Sequence, residues 1–325
     1  MVGGLEALAG RFDAFLVDQF GVVLDGVGAY PFAPAALARL AAQGKPVLFL
    51  SNSGKRAAAN EARLGALGFR RGDYLGVLSS GEAAHGLLAR RIGADIGAGA
   101  PVWLHGRDDD ASAVAGLDLR RCEDPAQAAL IVLAGSRGEV MTLGDYARLL
   151  APAARAGVPC LCTNPDLTML TARGRHFGAG RIAALYAELG GSVDYVGKPH
   201  PLIYAEAARR LPGIAPGRIL CIGDSPAHDL AGGRAAGHAT ALVRSGIHAG
   251  LDDAALAALC AAEGAAPDFI LPAFDFAPDP APDPAPMINP GSDNPVSGNP
   301  KSGDPKAGDP KSDNPKAGDA CVAPT

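Results

Sequence analysis

The apolar run Phe15-Leu16-Val17, closed by Asp18-Gln19-Phe20-Gly21, is the stretch around which the chain's pattern is arranged. A short continuous run of this kind suits a strand buried on both faces, and the glycine after it permits a sharp turn. Pro34 to Gln43, rich in Ala and Leu and stopped by Gly44, predicts a helix. Pro46 to Leu50 predicts a second buried strand that enters Ser51-Asn52-Ser53-Gly54-Lys55-Arg56, and Ala57 to Leu67 a helix with Gly68 as its C-cap. Strand and helix alternating through short links predict an α/β fold with a doubly wound, Rossmann-like parallel sheet. An acid at the carboxyl end of such a strand stands where these sheets place their ligands.

A second set of strands follows. Val102-Trp103-Leu104 and Leu130 to Leu133 are short apolar strands; Thr142 to Ala156 reads as a helix, and Val158 to Thr163 as a strand entering Asn164-Pro165-Asp166. The glycine-rich run Gly174 to Gly180 leads into a helix through Leu189. From Val193 the first pattern resumes: Lys198-Pro199-His200-Pro201 precedes a helix from Leu202 to Leu211, and the strand Arg218 to Ile222 opens into Gly223-Asp224-Ser225-Pro226-Ala227-His228-Asp229. Ala239 to Val243 reads as a further strand. The expected division is a core in two parts, 1–73 and 193–273, with an α/β unit, 74–192, inserted at a break near Gly72. Residues 274–325 become a repeat, as in Lys301-Ser302-Gly303-Asp304-Pro305 and Lys306-Ala307-Gly308-Asp309-Pro310. Such a segment has little apolar surface to offset ordering entropy, so a disordered tail is expected, serving at most as a spacer or weak docking segment.

Composition narrows the partners. With 325 residues, 48% of them hydrophobic, the chain can bury more than one core, and a net charge of −5 without a basic block argues against nucleic acid or anionic membrane. No apolar run approaches the roughly 20 residues of a spanning helix. The N-terminal residues lack a basic segment followed by an apolar signal core, so a cytoplasmic protein is expected. Cys122, Cys160, Cys162, Cys221, Cys260 and Cys321 show no paired metal spacing and read as core thiols of a reducing compartment. Alternation places Cys160 and Cys162 on one strand face.

Four stretches thus stand at strand ends of one sheet: Asp18, Ser51-Asn52, Lys198, and Asp224 with Asp229. Singly, each has a plain structural reading: Ser51, Asp224 or Asp229 as helix caps, Asn52 in a turn, Lys198 on a solvated surface. Their joint order over residues 12–271 resembles the haloacid dehalogenase superfamily, and Asn164-Pro165-Asp166, Gly178-Ala179-Gly180 and Gly197-Lys198-Pro199 resemble its class IIA branch, whose members include phosphatases of nucleotides, sugar phosphates and pyridoxal phosphate. The resemblance implies a phosphatase of a small phosphorylated metabolite in which Asp18 is the nucleophile, forming an aspartyl-phosphate. Ser51 and Asn52 would bind the phosphoryl group, Lys198 would hold charge on nucleophile and phosphoryl oxygens, and Asp166 would meet the substrate. Mg²⁺ would sit among Asp18, the backbone carbonyl of Phe20, Asp224 and Asp229, because converging carboxylates repel without a cation and hard oxygens suit that ion. A homodimer through the inserted unit is a further implication.

The resemblance fails at one position. Relatives of this kind carry a second Asp two residues after the nucleophile as general acid and base, and here that residue is Phe20. Losing such a group typically costs roughly 10²–10⁴ in rate. Gln19 is sent to the opposite strand face, and Asp25, beyond the turn, is a weaker candidate to substitute. Three readings therefore compete: a slow Mg²⁺-dependent hydrolase, a non-catalytic phosphate-ligand binder, and a scaffold that recruits a partner through its tail. Gly54-Lys55 makes no P-loop, since Phe49 stands where that motif wants Gly, and Gly178-Ala179-Gly180 lacks the third glycine of a dinucleotide fingerprint. Arg107 and Asp166 are expected near the leaving group. His85, His105, His176 and His238 read as surface or packing residues, with His105, in a loop beside Arg107, the best minor candidate for a contact from the inserted unit.

Overall fold

The computed structural model describes residues 4–276, apart from 108, 172 and 173. Nearly all of the expected tail, with Cys321, lies outside the described residues. The first part of the chain runs α1 (Leu5–Ala9), β1 (Ala14–Asp18), α2 (Ala33–Ala42), β2 (Val47–Ser51), α3 (Ala57–Ala66), β3 (Gly76–Ser79) and α4 (Ser80–Arg91). Next come β4 (Ala100–His105), β5 (Leu119–Arg121), β6 (Leu130–Leu133), α5 (Leu143–Arg155), β7 (Cys160–Cys162), β8 (Thr168–Thr171), β9 (Gly174–Phe177), α6 (Ala179–Glu188) and β10 (Val193–Tyr195). The last part holds α7 (Pro201–Arg210), β11 (Ile219–Gly223), a wide helical turn (Pro226–Leu230) running into α8 (Ala231–Ala235), then β12 (Ala239–Val243), α9 (Asp253–Ala262) and β13 (Phe269–Leu271).

Two parallel sheets result. One has the order β13-β12-β11-β1-β2-β3, the other β10-β7-β6-β4-β5, and β8 and β9 form a separate antiparallel hairpin. β1 shows why its sequence run has no polar alternation: Phe15 and Val17 enter a cluster with α1, α2 and α3, while Ala14 and Leu16 enter another with α4 and α7. Each such side chain contributes about 1.5–3 kcal/mol by leaving water. The second cluster also takes Val102, Leu130, Val132 and Leu161 of the second sheet, so one apolar body joins residues of both sheets. Cys160 and Cys162 lie together on that sheet's other face with Tyr146, Leu150, Ile182 and Tyr186, as alternation required. A capping box starts α5, with Thr142 Oγ1 accepting the Asp145 N–H and Asp145 Oδ2 accepting the Thr142 N–H.

Strand membership corrects the expected boundaries at two places. β3 pairs with β2, so Gly76–Ser79 belongs to the first sheet and the chain leaves it only through α4. β10 pairs with β7, so Val193–Tyr195 belongs to the second sheet. Both strands are only three or four residues long, too short to carry a period, and the turn residues around Gly72 imitate a junction. The glycine-rich run from Gly174 is likewise not all lead-in, because its first four residues form β9 against β8.

The sheets are locked in place by bare backbone. A Cβ on Gly54 would lie 2.0 Å from the carbonyl oxygen of Ala134, and a Cβ on Gly81 2.0 Å from that of Gly54. The loop after β2 is thus pressed between the first turn of α4 and the loop after β6. Among the described residues no helix is long and apolar enough to cross a membrane.

Candidate active site

From β1 the chain winds outward through β2 and β3, and from β11 it winds the other way through β12 and β13. The reversal falls between β1 and β11, where the two connecting loops part and leave a crevice at the carboxyl ends of the strands. Asp18 ends β1, Asp224 follows β11, and Asp229 sits on the helical turn after it. One carboxylate oxygen from each lies within 4.8 Å of the others. Gly21 has φ 78° and, with Gly246, packs its backbone on the Asp224 carboxylate, where a Cβ from either would fall 2.0 Å from Oδ2. The Ile247 N–H donates to that same oxygen at 2.8 Å.

Lys198 closes the cluster. It is buried, and its Nζ lies 2.7 Å from Asp18 Oδ1 and 2.7 Å from Asp229 Oδ1, while Asp229 Oδ2 accepts the Ser225 N–H. Burial would lower the lysine's pKa, but Asp18 and Asp229 outweigh it and hold the ammonium above its usual value. The carboxylates move upward: Asp18 to about 8 and Asp224 to about 6, in both cases chiefly by burial, against the pull of Lys198 and with further push from neighbouring acids. A neutral Asp18 would not sustain so strongly favoured an ammonium beside it. The 2.7 Å contacts argue for the ion pair, with Asp18 ionised beside Lys198. Three carboxylates against one ammonium leave a deficit of two charges. The donor set is all hard oxygen, and a divalent cation of the Mg²⁺ or Ca²⁺ kind fits both facts.

Ser51, at the end of β2, is buried, with its Oγ accepting the Ser53 N–H. Asn52 is engaged elsewhere than expected. Its Oδ1 accepts the Lys198 N–H at 2.7 Å, and its Nδ2 donates to the Lys198 carbonyl at 3.0 Å and to Asp166 Oδ1 at 2.8 Å. Both of its amide donors are thus occupied, and Asn52 holds the Lys198 backbone in place.

The other side of Asp18 is differently built. Phe20 is 47% exposed, with the Arg63 guanidinium 4.9 Å from its ring centroid. Arg63 projects from α3, donates through Nη2 to Gln19 Oε1 and Asn60 Oδ1, and has no carboxylate partner among the described residues. Gln19 is fully buried, and its Nε2 and Arg63 Nε are both enclosed without an acceptor. Asp25 does not replace the missing acid: its exposed carboxylate accepts the Val27 and Gly28 N–H groups, which hold its pKa down.

A cleft of about 320 Å³ opens here between the two sheets. Ser53, Lys55 and Arg63 line one wall; Arg107, Ser136, Asp166 and Met169 are among the residues of the other. Arg107 is already paired with Glu139 at 2.9 Å. His105 does not reach the cleft. It is buried with its Nε2 2.7 Å from Tyr146 Oη, and burial pushes its pKa down to about 4. Arg63 gave no warning in the sequence, since its position on α3 carries no motif. Gln19 looked merely turned away.

An acid cluster with one lysine at a sheet's switch point, covered by a second α/β unit, defines a capped α/β hydrolase. The chain belongs to the haloacid dehalogenase-like hydrolase family, which matches residues 12–237. It is similar to human chronophin, with 31% identity over 257 residues that cover 75% of this chain and 84% of that protein. Among solved structures it is similar to a haloacid dehalogenase-like hydrolase of Brucella suis, with TM-score 0.71, 29% identity and coverage of 84% of this chain and 99% of the other. It also resembles a glycerol phosphate phosphatase of Mycobacterium tuberculosis in complex with magnesium, with TM-score 0.60, 30% identity and coverage of 74% and 70%.

Proposed function

We propose that the chain is a Mg²⁺-dependent phosphatase of a small phosphorylated metabolite, working through an aspartyl-phosphate on Asp18. The observation that carries this reading is the charge deficit of the Asp18–Lys198–Asp229–Asp224 cluster at the switch point, which calls for a divalent cation and then for an anion. The names of its relatives, among them a glycerol phosphate phosphatase crystallised with magnesium, support it. Lys198 holds Asp18 Oδ1, leaving the other oxygen without a protein hydrogen bond among the described residues and available to attack phosphorus. As that bond forms, the phosphorus–ester oxygen bond breaks, and water then hydrolyses the acyl phosphate. Asp18, Asp224, the Phe20 carbonyl and, in support, Asp229 would hold the metal, which neutralises phosphoryl oxygens when bound. Ser51 donates to the phosphoryl group, and Asn52 fixes Lys198 while binding Asp166 across the cleft.

Phe20 supplies no proton to the leaving oxygen and accepts none from water, so turnover is slow by roughly 10²–10⁴ relative to a site with an acid there. The insertion, carried by the second sheet, acts as the cap that covers the leaving group and excludes water. Free thiols at Cys122, Cys160, Cys162, Cys221 and Cys260 support a cytoplasmic setting. Phosphate release from a panel of phosphorylated metabolites, with and without Mg²⁺, tests the proposal against Asp18→Asn. Metal-dependent release that vanishes in the variant is the expected result. Ligand binding without release from any member would replace the hydrolase with a phosphate-ligand binder.

A further inference from the structure

Among the described residues Arg63 makes no ion pair with a carboxylate, and Asp18 acts on it only through its charge. Arg63 is half-buried; burial lowers its pKa, and the charge of Asp18 only partly opposes that. A guanidinium withdrawn from water this far normally has a carboxylate or phosphate against it, because leaving it unpaired forfeits solvation without return. Here its Nη2 is bound to two neutral amide oxygens, its Nε is enclosed without an acceptor, and its Nη1 makes no hydrogen bond among the described residues. The neighbouring Gln19 Nε2 is a second buried donor without an acceptor. Arg107 across the cleft is paired with Glu139, so the unfilled demand for negative charge is local to Arg63. The Phe20 ring lies against the guanidinium and orients its plane. A purely structural arginine would need only the contacts to Gln19 and Asn60, and these leave three of its five N–H donors idle.

We propose that Arg63 is the specificity residue for a second anionic group on the substrate. The preferred ligands are then phosphate monoesters whose carbon skeleton also bears a carboxylate or a further phosphate. The phosphoryl group under transfer meets Asp18 and Lys198, while the second anion, on the leaving-group side, meets the free edge of the guanidinium. Phe20 fits this arrangement, since an acid at that position would itself pair with Arg63 and cancel the charge that the substrate is to meet. The proposal deepens the phosphatase reading but is separable from it, because it concerns binding as well as turnover.

The test is calorimetric binding to the full chain carrying Asp18→Asn, in Mg²⁺. Phosphoglycerate is compared with glycerol phosphate for the carboxylate, and fructose bisphosphate with fructose monophosphate for the second phosphate. At least one doubly anionic ligand should bind about 10- to 100-fold tighter than its partner, as a charged hydrogen-bonded pair implies. Adding Arg63→Gln should bring that ratio close to one, and Arg63→Lys should keep part of it. The ratio is insensitive to a general loss of folded protein. Ratios near one before substitution, or ratios unmoved by Arg63→Gln, overturn the assignment. A preserved ratio in a protein whose wild type releases no phosphate would sink the phosphatase and leave Arg63's role standing.

Discussion

Two sides of one aspartate follow opposite rules. Toward β11, Asp18 meets a network in which Lys198, Asp229, Ser225, Asn52 and Ile247 all find partners, with ion pairs of 2.7 Å. Toward α3, the neighbouring groups are a half-exposed phenyl ring, an arginine with no counter-ion among the described residues and two buried donors without acceptors. A saturated network fixes atoms in place and suits a step whose geometry never changes, the capture of a phosphoryl group. On the proposed function, the contrast separates the side that captures the phosphoryl group from the side that meets the particular substrate.

The contrast can be broken first at Lys198. Lys198→Met strands Asp18 and Asp229 in a buried site, and we expect turnover to fall by roughly 10²–10³ or more and stability by about 3–5 kcal/mol. Steady-state kinetics and denaturant melts check both; a mild loss would mean that the network is not what holds the nucleophile. Phe20→Asp rebuilds the other side. Alone, the new carboxylate would pair with Arg63 and stay ionised, so turnover should rise less than in Phe20→Asp/Arg63→Gln, where we expect a gain of about 10². Burst-phase kinetics would show whether hydrolysis of the acyl phosphate is the step restored.

Asn52→Ala tests the link between the two halves. It leaves the Lys198 N–H buried without its acceptor, and a drop of about tenfold in kcat with a stability loss of about 1–3 kcal/mol is expected. An unchanged kcat would show that Lys198 is placed by other means. The smallest effect lies away from the site. His105 has its pKa lowered to about 4 by burial, so between its unfolded value of about 6.5 and that point the unfolded chain binds more protons. Stability should therefore fall by about 1–3 kcal/mol as pH drops from 6.5 to 4. His105→Gln should flatten that part of a Tm-against-pH curve if the histidine is its source.

Strand-end chemistry was legible because β1, β2 and β11 are continuous apolar runs that each deliver a polar residue at one end, whereas Lys198 follows β10 of the second sheet and reaches the cluster from there. Asn52 was read as a phosphate contact because a sequence shows a side chain's chemistry but not which partner reaches it first. β3 and β10 were not read as strands, because runs of three or four residues take their place from pairing partners remote in sequence. Arg63 was invisible for a related reason: one arginine on an amphipathic helix resembles any other until the fold shows that, among the described residues, it makes no ion pair.

The contact of Gly54 with Ala134 bears on how such a protein can diversify. Where two halves meet main chain to main chain, no side-chain volume remains to be traded. The spacing between the sheets is then fixed by peptide geometry, and a library at positions 54 and 81 should return glycine almost alone. Heritable change in what is accepted is thereby channelled into the residues bordering the seam, such as Arg63, Arg107 and Met169, which can be exchanged without shifting that backbone contact.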